Sequence, residues 1–270
     1  MNRKRFFLST IADVCEDETS FAIRYEPRTA DLAAQCGFGL ELAEYCLSDN
    51  MDDDSAVRAH FERNVRRAKH RVMHAPFNEL LPHAIDKKVA RVAEERLSRA
   101  WEICQKAGCE KMVVHVNHIN VLYFPTWTAS RQIEFWKRFL AAHAGDTVIC
   151  LENVMEEDPG VILDIIEGVD DERLRMCLDV GHANLTGLPV MEWLRTCAKH
   201  ISHFHLHNNN GPAKGCAGAG DTHKALGDGT IPMRELLLEA DRLVPKATFT
   251  VETNSLRPSV DWLSDQGFLS

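Results

Sequence analysis

Positive charge is in short supply in this chain of 270 residues: Lys and Arg number 31 against 40 Asp and Glu, a formal charge of −9. Nucleic-acid binding draws its non-specific affinity from cations that neutralise phosphates. The balance therefore argues against a nucleic-acid partner, local basic patches aside. No two of the nine cysteines are spaced Cys-x-x-Cys, and their number is odd. Several, such as Cys150 and Cys177, lie in apolar runs where a free thiol packs as a small hydrophobe. A disulfide framework is not expected; a reduced, cytoplasmic protein is. No stretch approaches the roughly 20 apolar residues of a membrane span. The basic start Asn2-Arg3-Lys4-Arg5 leads into Phe6-Phe7-Leu8, an apolar run too short for a secretory leader and broken by Asp13. The expectation is a soluble protein that makes no membrane contact. Linkers, low-complexity tracts and composition shifts are also missing, so residues 1–270 read as one domain.

What the chain does have is alternation. Short runs of strand character fall at 5–10, 39–44, 71–75, 111–117, 147–152, 174–179, 201–207 and 247–252. Between them lie helical patterns at 55–69, 85–107, 130–143, 159–167, 189–198, 231–243 and 258–266. The clearest is 85–107, where Val89, Val92, Ala93, Leu97, Ala100, Trp101 and Cys104 share a face and Gly108 supplies the stop. Strict strand–helix alternation implies parallel strands with crossover helices. Eight such units in this length predict an α/β fold, a single closed (β/α)8 barrel. One segment breaks the rhythm: the glycine-rich loop 208–229 after the seventh strand.

Polar residues cluster at the predicted strand ends. His74 ends the third strand, His115 comes late in the fourth, and Glu152 ends the fifth. Asp179 ends the sixth, His205 is near the end of the seventh, and Glu252 ends the eighth. In a barrel these ends open onto one face, where active sites form, and period-two alternation turns each of these side chains inward. Six such groups at one mouth are costly to desolvate unless they are paired or bound to a cation. Mixed nitrogen and carboxylate donors suit Zn²⁺, Mn²⁺ or Fe²⁺. His182, in Asp179-Val180-Gly181-His182, faces the same mouth, and Asp221-Thr222-His223 lies in the glycine-rich loop.

The pieces His74-Ala75-Pro76-Phe77, Leu151-Glu152-Asn153, Asp179-Val180-Gly181-His182, His205-Leu206-His207-Asn208, Asp221-Thr222-His223 with Leu226-Gly227-Asp228-Gly229, and Val251-Glu252-Thr253 occur in order over about residues 70–255. Together they resemble the xylose isomerase-like TIM barrels, which include sugar phosphate isomerases and epimerases and the endonuclease IV type of apurinic-site nucleases. In the isomerase and epimerase branch, the resemblance implies one divalent metal on Glu152, Asp179, His205 and Glu252, with Glu152 and Glu252 as the proton-transfer pair. In the nuclease branch it implies three zinc ions. His74, His115 and Glu152 match the first site, Glu152, Asp179, His205 and Glu252 the second, and His182, Asp221 and His223 the third. That branch reads His-Leu-Asn-Asp after the seventh strand, whereas this chain has His205-Leu206-His207-Asn208. The departure and the acidic surface lean toward the sugar enzymes. The reading is thus an isomerase or epimerase of a small carbohydrate or polyol holding one to three Mn²⁺ or Zn²⁺ ions. The alternative is a metal-dependent phosphodiesterase. His207 and Asn208 are expected at the substrate, and a homo-oligomer is compatible with this reading. His203, one layer deeper, reads as a core histidine. Glu41 and Glu44 are open between substrate contact and structural salt bridges. Tyr123, Phe124 and Trp127 read as loop packing rather than a sugar-stacking wall.

Overall fold

The predicted strands close into a barrel. The computed structural model describes residues 1–16, 23–25, 28–215 and 219–269. The chain begins with β1 (Phe6–Ser9), then β2 (Val14–Glu16), β3 (Ile23–Tyr25) and α1 (Thr29–Cys36). Next come β4 (Gly39–Leu42), α2 (Asp49–Asp52), α3 (Arg58–Arg67), β5 (Arg71–His74), α4 (Lys87–Ala107), β6 (Lys111–His115) and α5 (Pro125–Ala142). The second half runs β7 (Val148–Glu152), α6 (Gly160–Val169), β8 (Leu174–Asp179), α7 (Val180–Asn184), α8 (Val190–Cys197), β9 (Ile201–Leu206), α9 (Met233–Leu243), β10 (Thr248–Val251) and α10 (Leu256–Asp265). Strands β4 to β10 pair side by side in parallel, and β1 joins β10 to β4 to complete the ring. This is a (β/α)8 TIM barrel. The antiparallel pair β2–β3 is separate from it.

Alternation along each strand divides the core in two. Phe7, Val72, Val113, Cys150 and Cys177 form a small, fully buried cluster in the lumen. Their strand neighbours, among them Phe6, Leu8, Met73, Met112, Ile149, Leu151, Met176 and Leu178, join the large cluster beneath the helices. Burying each such side chain contributes about 1.5–3 kcal/mol. Two residues beyond Val72, Val113, Cys150 and Cys177 the inward parity reaches His74, His115, Glu152 and Asp179, at the ends of β5–β8. The same periodicity that fills the lumen therefore delivers polar groups to its mouth.

Several boundaries differ from expectation. The polar residues around α1 mask it in the sequence, and its short apolar face, Ala30 and Ala33, packs on the barrel. α5 starts at Pro125, which suits a first helical position because its missing N–H has no partner there to lose. The fourth barrel strand stops at His115 because Asn117 takes a left-handed φ of 55°. On α4 the buried face is narrower than predicted: Ala93, Leu97, Ala100, Trp101 and Cys104 are buried, whereas Val89 and Val92 are exposed. The seven described free cysteines include Cys150 and Cys177. No described helix is long and apolar enough to cross a membrane.

Candidate metal centre and active site

The strand-end residues meet on a short list of atoms. His205 Nδ1 lies 3.2 Å from Glu152 Oε1, 3.1 Å from Glu252 Oε2 and 3.8 Å from Asp179 Oδ2. His74 Nε2 and His115 Nε2 each lie 3.3 Å from Glu152 Oε2. On the other side, Asp221 Oδ2 lies 3.2 Å from His182 Nε2 and 3.3 Å from His223 Nε2. Four donors set about 2.0–2.1 Å from a zinc ion lie roughly 3.3 Å apart along the edges of a tetrahedron. Ligand atoms of His74, His115 and Glu152 lie within 4.8 Å of one another, as do those of His182, Asp221 and His223, and His205 Nδ1 faces Glu152, Asp179 and Glu252.

The second ring nitrogens fix how each histidine faces these carboxylates. His74 Nδ1 donates to the Ala75 carbonyl at 2.8 Å, His182 Nδ1 to the Asn153 carbonyl at 2.9 Å, and His223 Nδ1 to the Glu252 carbonyl at 2.9 Å. A carbonyl only accepts, so each Nδ1 carries the hydrogen. In the neutral ring Nε2 then presents a lone pair to a carboxylate oxygen, and two acceptors facing one another need a cation between them. His205 is turned the other way: Nε2 donates to Glu41 Oε2 at 3.0 Å, leaving Nδ1 for the three carboxylates. Glu152 Oε2, Asp179 Oδ2, Asp221 Oδ1 and His207 Nδ1 are buried without a hydrogen-bond partner. A buried polar atom left this way is costly, so the donor set fits one or more divalent cations.

Electrostatics tell the same story. Burial would raise the Glu152 carboxyl, but His205 and His115 outweigh it and hold it well below the ordinary range. Burial also opposes ionisation of Asp179, Glu252 and Asp221, and neighbouring histidines pull all three down. In return, against the opposing effect of burial, the carboxylates push His74 up to about 8, His223 to about 9 and His182 to about 10. His115 is the exception, pushed down because burial dominates. Negative charge at the mouth thus calls for cations, whether protons or a metal.

Local structure places the remaining groups. Asp179 caps α7: its Oδ1 accepts the His182 N–H at 2.7 Å, so the Asp-x-x-His spacing that turns His182 into the mouth is an N-cap turn. Asn153 ties β7 to β8 through two 2.9 Å bonds to the Asp179 backbone. His207 is buried against Asp179 (Nε2 to Oδ1, 3.0 Å) and stacked on His223, ring centroids 3.9 Å apart. It joins His182, Asp221 and His223 as a fourth member of that donor group, a place only Gly181 permits, since a Cβ there would come within 1.9 Å of the His207 ring. His207 and Asn208, both expected at the substrate, do not line the cavity. The Asn208 amide braces the glycine-rich loop through the Leu226 carbonyl and the Ile231 and Asn209 N–H groups. His203 is fully buried and bonded to Thr248 and Thr250. Glu41 lies under His205 and Glu44 pairs with His60, so neither reaches the cavity. Tyr123, Phe124 and Trp127 stay outside the cavity wall. The inward parity of Glu41 was visible; that it would meet His205 across the lumen was not.

Above the floor opens a cavity of about 680 Å³ lined by His74, His115, Glu152, His182, Asp221, His223 and Glu252. Fold and site together define a TIM barrel with a histidine–carboxylate cluster at the C-terminal face. The chain belongs to the xylose isomerase-like TIM barrel family, whose profile matches residues 30–269. It is 26% identical over 200 residues to the uncharacterized protein MJ1311 of Methanocaldococcus jannaschii, covering 70% of this chain and 66%, just under two thirds, of that one. The fold resembles that of a D-tagatose 3-epimerase-like protein (TM-score 0.75, 21% identity, 97% of this chain and 96% of that one). It also resembles the D-psicose 3-epimerase of Clostridium cellulolyticum H10 solved with D-tagatose (TM-score 0.71, 14% identity, 98% of each chain). A third similar structure, the IOLI protein with a bound zinc atom, has a TM-score of 0.68 at 13% identity, covering 97% of this chain and 95% of that one.

Proposed function

We propose that this protein is a divalent-metal-dependent isomerase or epimerase of a carbohydrate or polyol. One observation carries the reading: His74, His182, His205 and His223 each spend one ring nitrogen on a carbonyl or on Glu41 and aim the other at ionised carboxylates. Glu152, Asp179, His205 and Glu252 would hold the central ion; Zn²⁺ and Mn²⁺ both suit these donors. Once bound, such an ion polarises a substrate carbonyl and acidifies the neighbouring C–H. Glu152 and Glu252, both ionised and both within 3.2 Å of His205 Nδ1, are the pair that would take the proton from carbon and return it. The Glu252 side chain is 12% exposed, enough to meet a ligand in the cavity, against 1% for Glu152. Similarity in fold to sugar 3-epimerases and to a zinc-bound relative supports the same class.

The test is isotope exchange. Metal-loaded protein in D₂O with a panel of ketoses, aldoses and inosose-like polyols should place deuterium next to the carbonyl of at least one. Glu152→Gln and Glu252→Gln should each slow that exchange by roughly 10²–10⁴-fold, the range of a lost general acid or base. Absence of exchange across the panel would refute the reading. A second reading, a phosphodiesterase with three zinc ions, is favoured by the outer donor group of His182, Asp221 and His223, which a single-ion epimerase does not need. Incision of an abasic-site duplex, with three equivalents of zinc and no sugar exchange, would select it.

A further inference from the structure

The histidine–carboxylate floor accounts for one end of the cavity, and part of the wall above it is apolar. Sites of about 300–1,000 Å³ hold drug-sized ligands, and this cavity, at about 680 Å³, is larger than a lone monosaccharide needs. Asn78, Glu79, Asn117, Thr253 and Asn254 add polar groups to its lining, but one stretch of wall is apolar, made of Ile11, Phe77, Leu81, Ile119, Val154 and Met155. The apolar wall starts directly at the floor: Phe77 stacks on His115 with ring centroids 4.9 Å apart and meets His74 edge-on at 5.4 Å. It ends at Met155, on the loop after β7, a large apolar side chain left 53% exposed. No Lys or Arg is among the described residues that line the cavity. Hydroxyls pressed against these apolar side chains lose water without finding partners, and a phosphate lying among them meets no Lys or Arg of the described residues. An apolar substituent, by contrast, gains by leaving water.

Resting on the carbohydrate reading of the floor, we propose that the substrate is uncharged and amphipathic. A hydroxyl- and carbonyl-bearing end meets the floor, and an alkyl or aryl substituent lies against Phe77, Ile119, Val154 and Met155. Calorimetric titration of the metal-loaded protein with matched sets tests this: a free ketose, its 6-O-benzyl ether, which keeps the carbonyl, and its 6-phosphate, in the fructose, tagatose and psicose series. At least one ether should bind about tenfold or more tighter than its parent sugar, about 1.4 kcal/mol, and tighter than the phosphate. Ile119→Ser and Met155→Gln, with unchanged far-UV circular dichroism, should each remove most of that advantage. Equal affinity for sugar and ether, no binding of any ether, or preference for the phosphate would overturn the inference. Exchange on free sugars without an ether preference would overturn this inference alone. An ether preference without exchange would uphold it and count against the isomerase reading.

Discussion

Glu41 shows how one residue can govern a site from beneath it. It is fully buried, and its Oε2 accepts from His205 Nε2 and from Thr250 Oγ1, each at 3.0 Å. That bond selects the His205 tautomer and points Nδ1 at Glu152, Asp179 and Glu252. Outer carboxylates of this kind raise the basicity of a ligating imidazole and fix its ring. Glu41→Gln should therefore lower divalent-metal affinity by roughly 10–100-fold, read by competition with a chromophoric chelator, while circular dichroism shows an intact barrel. The outer donor group makes a separate prediction. His182→Ala or His223→Ala should remove metal from protein purified without chelator and analysed for Zn and Mn, leaving the ion on Glu152, Asp179, His205 and Glu252 in place. Unchanged stoichiometry in both variants would mean that these histidines serve the substrate instead.

At the scale of elements, stability comes from ties that periodicity alone does not reveal. α4 is closed at both ends: Asp86 accepts the Lys88 N–H at 2.8 Å, and Gly108 takes a left-handed φ of 64°. Asp86→Ala should cost about 1 kcal/mol in denaturant unfolding. A second tie joins α3 to the segments that follow β1 and β4. His60 contacts Glu44 Oε1 at 2.9 Å and Asp13 Oδ2 at 3.1 Å, and burial, which opposes its charge, is outweighed by these carboxylates, which push it up to about 9. Because the folded value lies above the ordinary 6.5, the stabilisation is fully present below that pH and is lost as the pH climbs through about 9. The unfolding free-energy difference between wild type and His60→Gln should therefore be largest near the lower value and shrink across this window. A difference independent of pH would show that His60 acts through packing alone.

For the whole molecule, a metal held by this cluster would make folding and metal binding one equilibrium. Glu152, Asp179, His205 and Glu252 come from four separate strand ends, so the unfolded chain does not present them together. An ion that binds only the folded barrel stabilises it by about 2.7 kcal/mol at a free concentration 100 times its Kd. Thermal unfolding should shift upward as Zn²⁺ or Mn²⁺ is added and downward with EDTA. The shift should be small in the Glu152→Gln, His205→Ala double variant. A melting temperature indifferent to both metal and chelator would count against a metal held by the folded state.

Much of this arrangement was already present in the order of residues. Eight strand-like runs, their alternation and the polar residue at the end of six of them are local periodicities, and a closed parallel barrel turns each local phase into a common direction. Hence the inward phase of Glu152, Asp179, His205, Glu252, His74 and His115 is legible without coordinates. The place of Asn208 is not legible in strand phase, because its neighbours, Leu226 and Ile231, are set by the path of the glycine-rich loop. Glu41 under His205, His207 stacked on His223 and the apolar wall from Phe77 to Met155 share that origin. Each depends on which residues meet across the lumen or between successive loops, a distance in sequence that no local pattern spans. Sequence alone determined which side chains turn toward the mouth; only closure of the barrel decided which of them touch.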